Sequence, residues 1–391
     1  MNSADDGESP KVKPNGTVHH LKVRHSKSLS IEPASLLAER AAPPARDWVC
    51  EGLGIPAGRV TSMIGNGGFG KSTIAHQLAL AVATSTPLFG MPVQGGAVLG
   101  LYCEDEQPEL DRKTRGICAA EGIELGNLDS AYFLSRDGED NILCSFDRDK
   151  IALTDFYWQV DATFASLKPR LGIFDTAADL FAGDFMSTPH VRQFIKVALG
   201  GLAQRHGSAI LLLAHPSASA MASGDGGGFS TAWNNSVRSR LYLRRPKSDD
   251  AEAIADKRVL EVRKANYGPS GGMVPLLYSQ GRFILDPEPV SEGAKPVKVV
   301  HCDTRLSMDV MDFFKSTAPA GQIVSFRPIF DAVAKNATAA FVGGEINFEA
   351  HRKVLQRTLK SLVQASLLVS SNIPRGYRLA PAPEAAQASA P

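Results

Sequence analysis

The sequence predicts an α/β fold: a mainly parallel sheet with helices on both faces, joined to a small C-terminal α+β domain. Three observations carry this. Between residues 60 and 213, short apolar runs alternate with stretches of helical period, the pattern of strands linked by crossover helices. After Thr231 the chain turns strand-rich, which reads as antiparallel strands extending one sheet edge. Beyond residue 300, helical patterns precede a short hairpin.

Residues 1–45 are poor in large apolar side chains and rich in Ser, Lys, His and Pro. They are expected to form a disordered tail with a short helix near Ile31–Arg40. The core domain spans 46–285. Val60–Ile64 is a buried strand, and Thr73–Ala83, apolar nearly all round, is a buried helix. Ala97–Cys103 is a strand, Glu106–Ala120 a polar helix, Ala131–Leu134 a short strand and Thr154–Leu167 a helix. Leu171–Phe174 and Ala209–Leu213 are strands on either side of the helix Val191–Arg205. Ser239–Leu243, Arg258–Arg263, Gly272–Leu277 and Gly281–Leu285 complete the domain as antiparallel strands. The Pro/Gly/Glu-rich stretch 286–300 is a linker. In 301–380, the helices Leu306–Lys315, Arg327–Ala334 and Glu349–Ala365 precede a hairpin turning at Asn372–Gly376, the order of a winged-helix-like domain. Residues 381–391 are a low-complexity, disordered tail.

Composition narrows the function. The 42 Lys and Arg balance 41 Asp and Glu to a formal charge of +1. That excludes a histone-like polycation and an acidic-tail protein, but leaves room for a local basic face. Cys50, Cys103, Cys118, Cys144 and Cys302 are an odd set without CxxC or Cys/His spacing. They are expected to be buried free thiols in a reducing compartment. No apolar run approaches a membrane span and no signal peptide opens the chain, so no membrane partner and a cytoplasmic location are expected.

The strongest motif is Gly65-Asn66-Gly67-Gly68-Phe69-Gly70-Lys71-Ser72, followed by Thr73, which fits G-x-x-x-x-G-K-[ST] in full. An apolar strand enters it and a helix leaves it. Glycines let successive backbone N–H groups point inward onto phosphate oxygens, and the helix N-terminus adds partial positive charge. Lys71 is expected to reach the β- and γ-phosphates of ATP, and Ser72 to offer its hydroxyl to Mg2+. Leu171–Asp175 is an apolar strand ending in an acid, which places Asp175 at the Mg2+ shell. Glu104, first after the strand Ala97–Cys103, is placed to activate an attacking water. Asp105 and Glu106 read instead as solvated acids at a helix N-terminus. His215 ends a buried strand at the ligand-binding sheet edge, a γ-phosphate sensor position. Arg238 and Arg240, two apart, share one face of a strand. They read either as arginine fingers for a neighbouring subunit's γ-phosphate or as an ordinary edge-strand pair. Lys264 adds a third cation nearby.

With GNGGFGKS, YCED, LGIFDT, LLAHP, STAWNNSVRSR and KANYG in this order, the segment Trp48–Leu285 resembles the RecA-like ATPases of the plasmid RepA hexameric-helicase type. The resemblance implies a RecA-like core, ATP and Mg2+ as cofactors, and a homo-oligomeric ring with active sites between subunits. It assigns Glu104 as catalytic glutamate, Asp175 as Walker B acid, His215 as sensor, and Arg238 and Arg240 as cations acting across the interface. It also implies that the loops Ala177–Pro189 and after His215 face a central channel and touch DNA. Neither loop is rich in Lys or Arg, so their grip on phosphates is expected to be modest.

DNA contact is expected mainly in the C-terminal domain. Between 352 and 378 stand Arg352, Lys353, Arg357, Lys360, Arg375 and Arg378 with no acid. Arg352, Lys353, Arg357 and Lys360 share the polar face of one helix, and Arg375 lies at the hairpin tip, a pattern suited to groove insertion with a wing on the backbone. A domain used only for protein contacts is the alternative. The function expected is ATP-driven work on DNA, helicase-like or loader-like, in replication or mobile-element maintenance. A filament-forming recombination or repair mediator and an ATP-switched DNA-binding regulator are the rivals.

Overall fold

The computed structural model describes residues 31–217, 230–248, 252, 254–289, 304–317, 322–337, 355–356, 358–359, 362–363, 368–372 and 375–379. Residues up to Ala45 form a unit of their own, whose described part holds one 3-10 turn, Ala34–Ala38.

From Arg46 the chain opens with two short antiparallel strands, Trp48–Cys50 (β1) and Ile55–Pro56 (β2). Val60–Gly65 (β3) is buried at every position, as an interior strand covered on both faces must be. Lys71–Thr84 (α1) is buried continuously from Ile74 to Val82 and ends at Ser85 in the left-handed region. Val98–Tyr102 (β4), Gln107–Glu121 (α2) and Ala131–Ser135 (β5) follow. A hairpin, Cys144–Asp147 (β6) with Lys150–Leu153 (β7), precedes Asp155–Leu167 (α3). The Thr154 hydroxyl caps α3, accepting from the Tyr157 N–H at 3.2 Å. Leu171–Asp175 (β8) leads into Ala177–Leu180 (α4), started by a capping box between Thr176 and Asp179. The stretch Ala177–Pro189, expected as a loop, thus begins as a helical turn. Thr188–Gln193 (α5) continues through a π-helical turn, Phe194–Leu199, into Gly200–His206 (α6). Ala209–Ala214 (β9), Thr231–Ser236 (α7), Ser239–Arg244 (β10), Lys257–Ala265 (β11), Met273–Ser279 (β12) and Arg282–Leu285 (β13) complete the core.

One nine-stranded sheet has the order β13-β12-β11-β10-β3-β9-β8-β4-β5. β5, β4, β8, β9, β3 and β10 run parallel, and β11 to β13 extend the edge in antiparallel fashion. This corrects one expectation. β10 is not the first strand of the antiparallel extension: it pairs parallel with β3, Ser239 opposite Thr61. The chain between β9 and β10 therefore crosses back to start the strand at the opposite edge. Successive side chains split between two cores, as the strand period of two requires. Met63, Leu211 and Leu213 pack with Leu78 of α1; Ile64, Ile210 and Leu212 pack with Phe164 and Leu202 on the other face.

The expected location and thiol states divide by residue. Among the described residues no helix is long and apolar enough to cross a membrane. Cys50, Cys103, Cys118 and Cys144 are buried free thiols. Cys302 lies outside the described residues.

Near the C-terminus, Thr304–Thr317 (α8), Phe326–Ala337 (α9) and the hairpin Leu368–Asn372 (β14) with Arg375–Leu379 (β15) surround Val310, Phe314, Ile329, Val333, Leu355 and Leu359. Val324 and Tyr377 exchange two backbone hydrogen bonds of 2.8 Å. Arg352, Lys353, Arg357 and Lys360 lie outside the described residues, and Arg375 is described by its backbone alone.

Candidate active site

The parallel register fixes where the site lies. Ile64 pairs with Ala214, and Tyr102 with Asp175, so β3, β9, β8 and β4 end level with one another. The residues leaving those ends, the Gly65–Ser72 loop, His215, Asp175 and Glu104, share one sheet edge. The Cys103 N–H donates to the Asp175 carbonyl at 2.7 Å, carrying the β4–β8 ladder one step past the strand.

Two glycines shape the loop. A Cβ on Gly65 would lie 2.7 Å from the Leu243 carbonyl oxygen of β10, so the strand leaves the sheet backbone against backbone. Gly70 has φ +94°, and a Cβ there would collide with the Phe283 ring of β13, so both conformation and space require glycine. Gly67 and Gly68 are exposed, Asn66 and Phe69 half-buried. Lys71, Ser72 and Thr73 form the first turn of α1, whose N–H groups and dipole face the loop.

Lys71 is 6% exposed. Its Nζ donates to the carbonyls of Gly65 at 2.8 Å and Asn66 at 3.1 Å. His215 Nδ1 lies 3.5 Å from the same Nζ. Burial holds the ammonium pKa below its ordinary value, opposed by Asp175 and Glu104. On the far side of the ring, His215 Nε2 is 3.7 Å from Glu104 Oε1. An ammonium cannot accept, so its approach to Nδ1 favours the tautomer with the proton on Nε2, facing the carboxylate. Glu104 is half-exposed, open to water.

Asp175 is 2% exposed. Burial pushes its carboxyl up to about 7, opposed by a hydrogen bond from Ser72, with Glu104 and Asp105 adding to the rise and Lys71 opposing it. Its Oδ1 has no hydrogen-bond partner among the described residues. A buried carboxylate oxygen without a donor, beside a hydroxyl, is an oxygen pair of the kind Mg2+ takes. Ser72 and Asp175 therefore fit that ion. Among the described residues no cluster of three or more His, Cys, Asp or Glu could hold a metal by itself.

Arg238 and Arg240 lie elsewhere. Arg240 pairs with Ser62 in the β3 register, three residues and roughly 10 Å before the loop begins. With Lys264, opposite Arg240 on β11, they stand at the amino edge of β10. Lys264 donates to the Asn234 carbonyl at 2.7 Å. Burial lowers its pKa, and Arg238, Arg240 and Lys196 lower it further. The structure does not bring these cations to the loop of their own chain.

The segment after β8 is braced by aromatic contact. Phe185 stacks on Trp233 of α7 at 5.4 Å, and the Trp233 indole donates to the Phe185 carbonyl at 3.0 Å. The segment after His215 lies outside the described residues from 218 to 229.

Three features carry no sequence signal of their own. Asp105, read as a solvated acid, forms a half-buried ion pair with Lys113 at 2.5 Å. His76 of α1 is fully buried between Tyr102 Oη at 3.0 Å and Thr114 Oγ1 at 2.8 Å. Phe69 of the loop lies under the guanidinium groups of Arg245 and Arg258, from strands far along the chain.

A family model described as an AAA domain matches residues 26–221, just over half of the 391-residue chain. The match takes in the loop, Glu104, Asp175 and His215 and ends before Arg238. No curated protein matches the chain. Among solved structures, a crystal structure of the RadB recombinase is similar at 14% identity, over 59% of this chain and 92% of that one, with a TM-score of 0.42.

Proposed function

The chain belongs to this AAA-domain family, and on that premise we propose that it is a RecA-like, Mg2+-dependent ATPase that works on DNA. One observation carries the reading: Lys71, Ser72, Asp175, Glu104 and His215 converge at the carboxyl ends of adjacent parallel strands. That edge is where an open α/β sheet binds its ligand.

The loop N–H groups from Gly67 to Thr73 bind the phosphates, and Lys71 turns from the loop carbonyls to the β- and γ-oxygens. Ser72 and Asp175 would hold Mg2+, which would supply charge neutralisation to the bound phosphates. Glu104 orients the attacking water and takes its proton. His215, between Lys71 and Glu104, registers whether the γ-phosphate is present. Arg238 and Arg240, with Lys264 beside them, act on the nucleotide of an adjoining subunit, since they stand at the opposite edge from their own loop. DNA is held chiefly by the basic stretch 352–378 of a winged-helix-like domain. The work is helicase-like or loader-like.

The decisive experiment measures ATP turnover and particle size with and without single-stranded DNA. Turnover stimulated by DNA in closed rings is expected. Helical filaments would favour a recombinase, and slow unstimulated turnover with tight duplex binding a regulator. If Lys71→Ala and Glu104→Gln both hydrolyse ATP like the wild type, the site is wrong.

A further inference from the structure

We propose that Arg258 is a positioning residue of the phosphate loop: it grips the Phe69–Gly70 peptide from outside, so that the Gly70 N–H is presented to a bound polyphosphate. The inference rests on the nucleotide-binding reading and adds to it a residue outside the motif, on the antiparallel extension of the sheet.

Arg258 stands on β11 and is 8% exposed. Its Nε donates to the Phe69 carbonyl at 3.2 Å. Its Nη1 donates to the carbonyls of Ala255 at 2.7 Å and Lys257 at 2.8 Å. The guanidinium carbon lies 5.0 Å from the centre of the Phe69 ring, and that of Arg245 lies 5.6 Å from the same ring. Burial and the Arg245 charge both disfavour the charged guanidinium, and Asp256 is the carboxylate that opposes them. A buried guanidinium is costly, and Asp256, three carbonyls and a ring face offset part of that cost. A polyphosphate held by the loop would add a further negative charge near the guanidinium.

The geometry gives the grip a consequence. The Phe69–Gly70 peptide is trans, so its C=O and N–H point in opposite directions across a rigid plane. Holding the carbonyl from outside fixes the direction of the N–H on the other side. A charged donor on the carbonyl also polarises the peptide, which makes that N–H a stronger donor. The Gly70 N–H has no acceptor among the described residues. Behind Gly70 the Phe283 ring closes the space. Phe283 is itself pinned to α1, where Gln77 exchanges two hydrogen bonds of 2.9 Å with its backbone.

The test measures, by calorimetry on the full chain, binding of ADP with Mg2+ and of inorganic tripolyphosphate. Amide hydrogen exchange across residues 66–71 is followed without ligand. Arg258→Gln is expected to weaken both ligands about 10- to 100-fold, the size of one charged hydrogen bond, and to speed exchange in the loop. Arg258→Lys keeps the charge but not the forked geometry, and is expected to recover affinity only in part. Wild-type affinity for tripolyphosphate in Arg258→Gln overturns the proposal. If that variant does not fold, wild-type affinity in Arg258→Lys overturns it equally. Lys71→Ala separates the two levels: were it also to bind like the wild type, the nucleotide site itself would be refuted, whereas its failure beside an unaffected Arg258→Gln would refute Arg258 alone.

Discussion

Acidification should unfold this protein partly through one histidine. His76 is fully buried, with both ring nitrogens engaged by Tyr102 and Thr114. Burial pushes its pKa from 6.5 down to about 3, with Lys113 adding to the shift. Below pH 6.5 the unfolded chain takes up a proton that the folded chain refuses. The stability tied to neutral His76 is therefore complete above 6.5 and lost progressively toward 3. Linkage gives a loss of about 1.4 kcal/mol per pH unit, about 2 kcal/mol by pH 5. For a core of this size that is a fall of roughly 4–8 °C in Tm. Asp175 acts in the opposite sense: its folded carboxyl titrates near 7 against 3.8 unfolded, so its contribution is present below 3.8 and lost as pH rises through 7. The two slopes oppose each other in the wild type, and the informative quantity is the difference between proteins. Thermal unfolding of wild type and His76→Gln is followed by circular dichroism at pH 7.5 and 5, without nucleotide and with chelator. Wild type should lose about 2 kcal/mol more than the variant between the two values. An equal change in both proteins would refute a buried neutral His76.

Other outcomes follow from the same geometry. Gly70→Ala must strain a backbone at φ +94° and displace Phe283; a loss of about 1–3 kcal/mol in denaturant unfolding is expected, together with loss of ADP binding. Asp175→Asn removes a charge that burial disfavours, so nucleotide-free Tm at pH 8 should not fall, while the gain in ATP affinity on adding Mg2+ disappears in a titration. Glu104→Gln should leave ATP affinity within about threefold and lower turnover at least about 100-fold, the scale of general base catalysis. The double variant Arg238→Ala/Arg240→Ala should bind ATP normally and turn over slowly. Mixing it with Lys71→Ala subunits should restore measurable turnover; no recovery in the mixed assay would count against action between subunits.

Much of the site was legible because it is local or tied to strand ends. The loop between β3 and α1 is contiguous, so motif and structure coincide over Gly65–Ser72. Asp175 and His215 needed only the inference that a buried apolar run is a parallel strand, since parallel strands end on the same edge. The direction of β10 was not legible: nothing in Ser239–Leu243 distinguishes a strand paired parallel with β3 from one continuing a meander, and the crossover before it settles the matter. β1–β2 and β6–β7 are too short to show a period. The grip of Arg258 on Phe69 joins residues 189 apart, and the His76 network links α1, β4 and α2. Such contacts arise only once the sheet has assembled, and no local pattern anticipates them.

The separation of Arg238, Arg240 and Lys264 from the phosphate loop gives the molecule a direction. One sheet edge carries these cations; the other, on the proposed reading, receives an anion. A two-fold, self-complementary contact at either edge would set like against like, cation facing cation. On the proposed reading, in which these cations act on an adjoining subunit, a heterologous, head-to-tail contact brings unlike edges together. Each added copy would then present the same free edge of the sheet as the one before, and such an assembly would either close into a ring or run on as a helical filament.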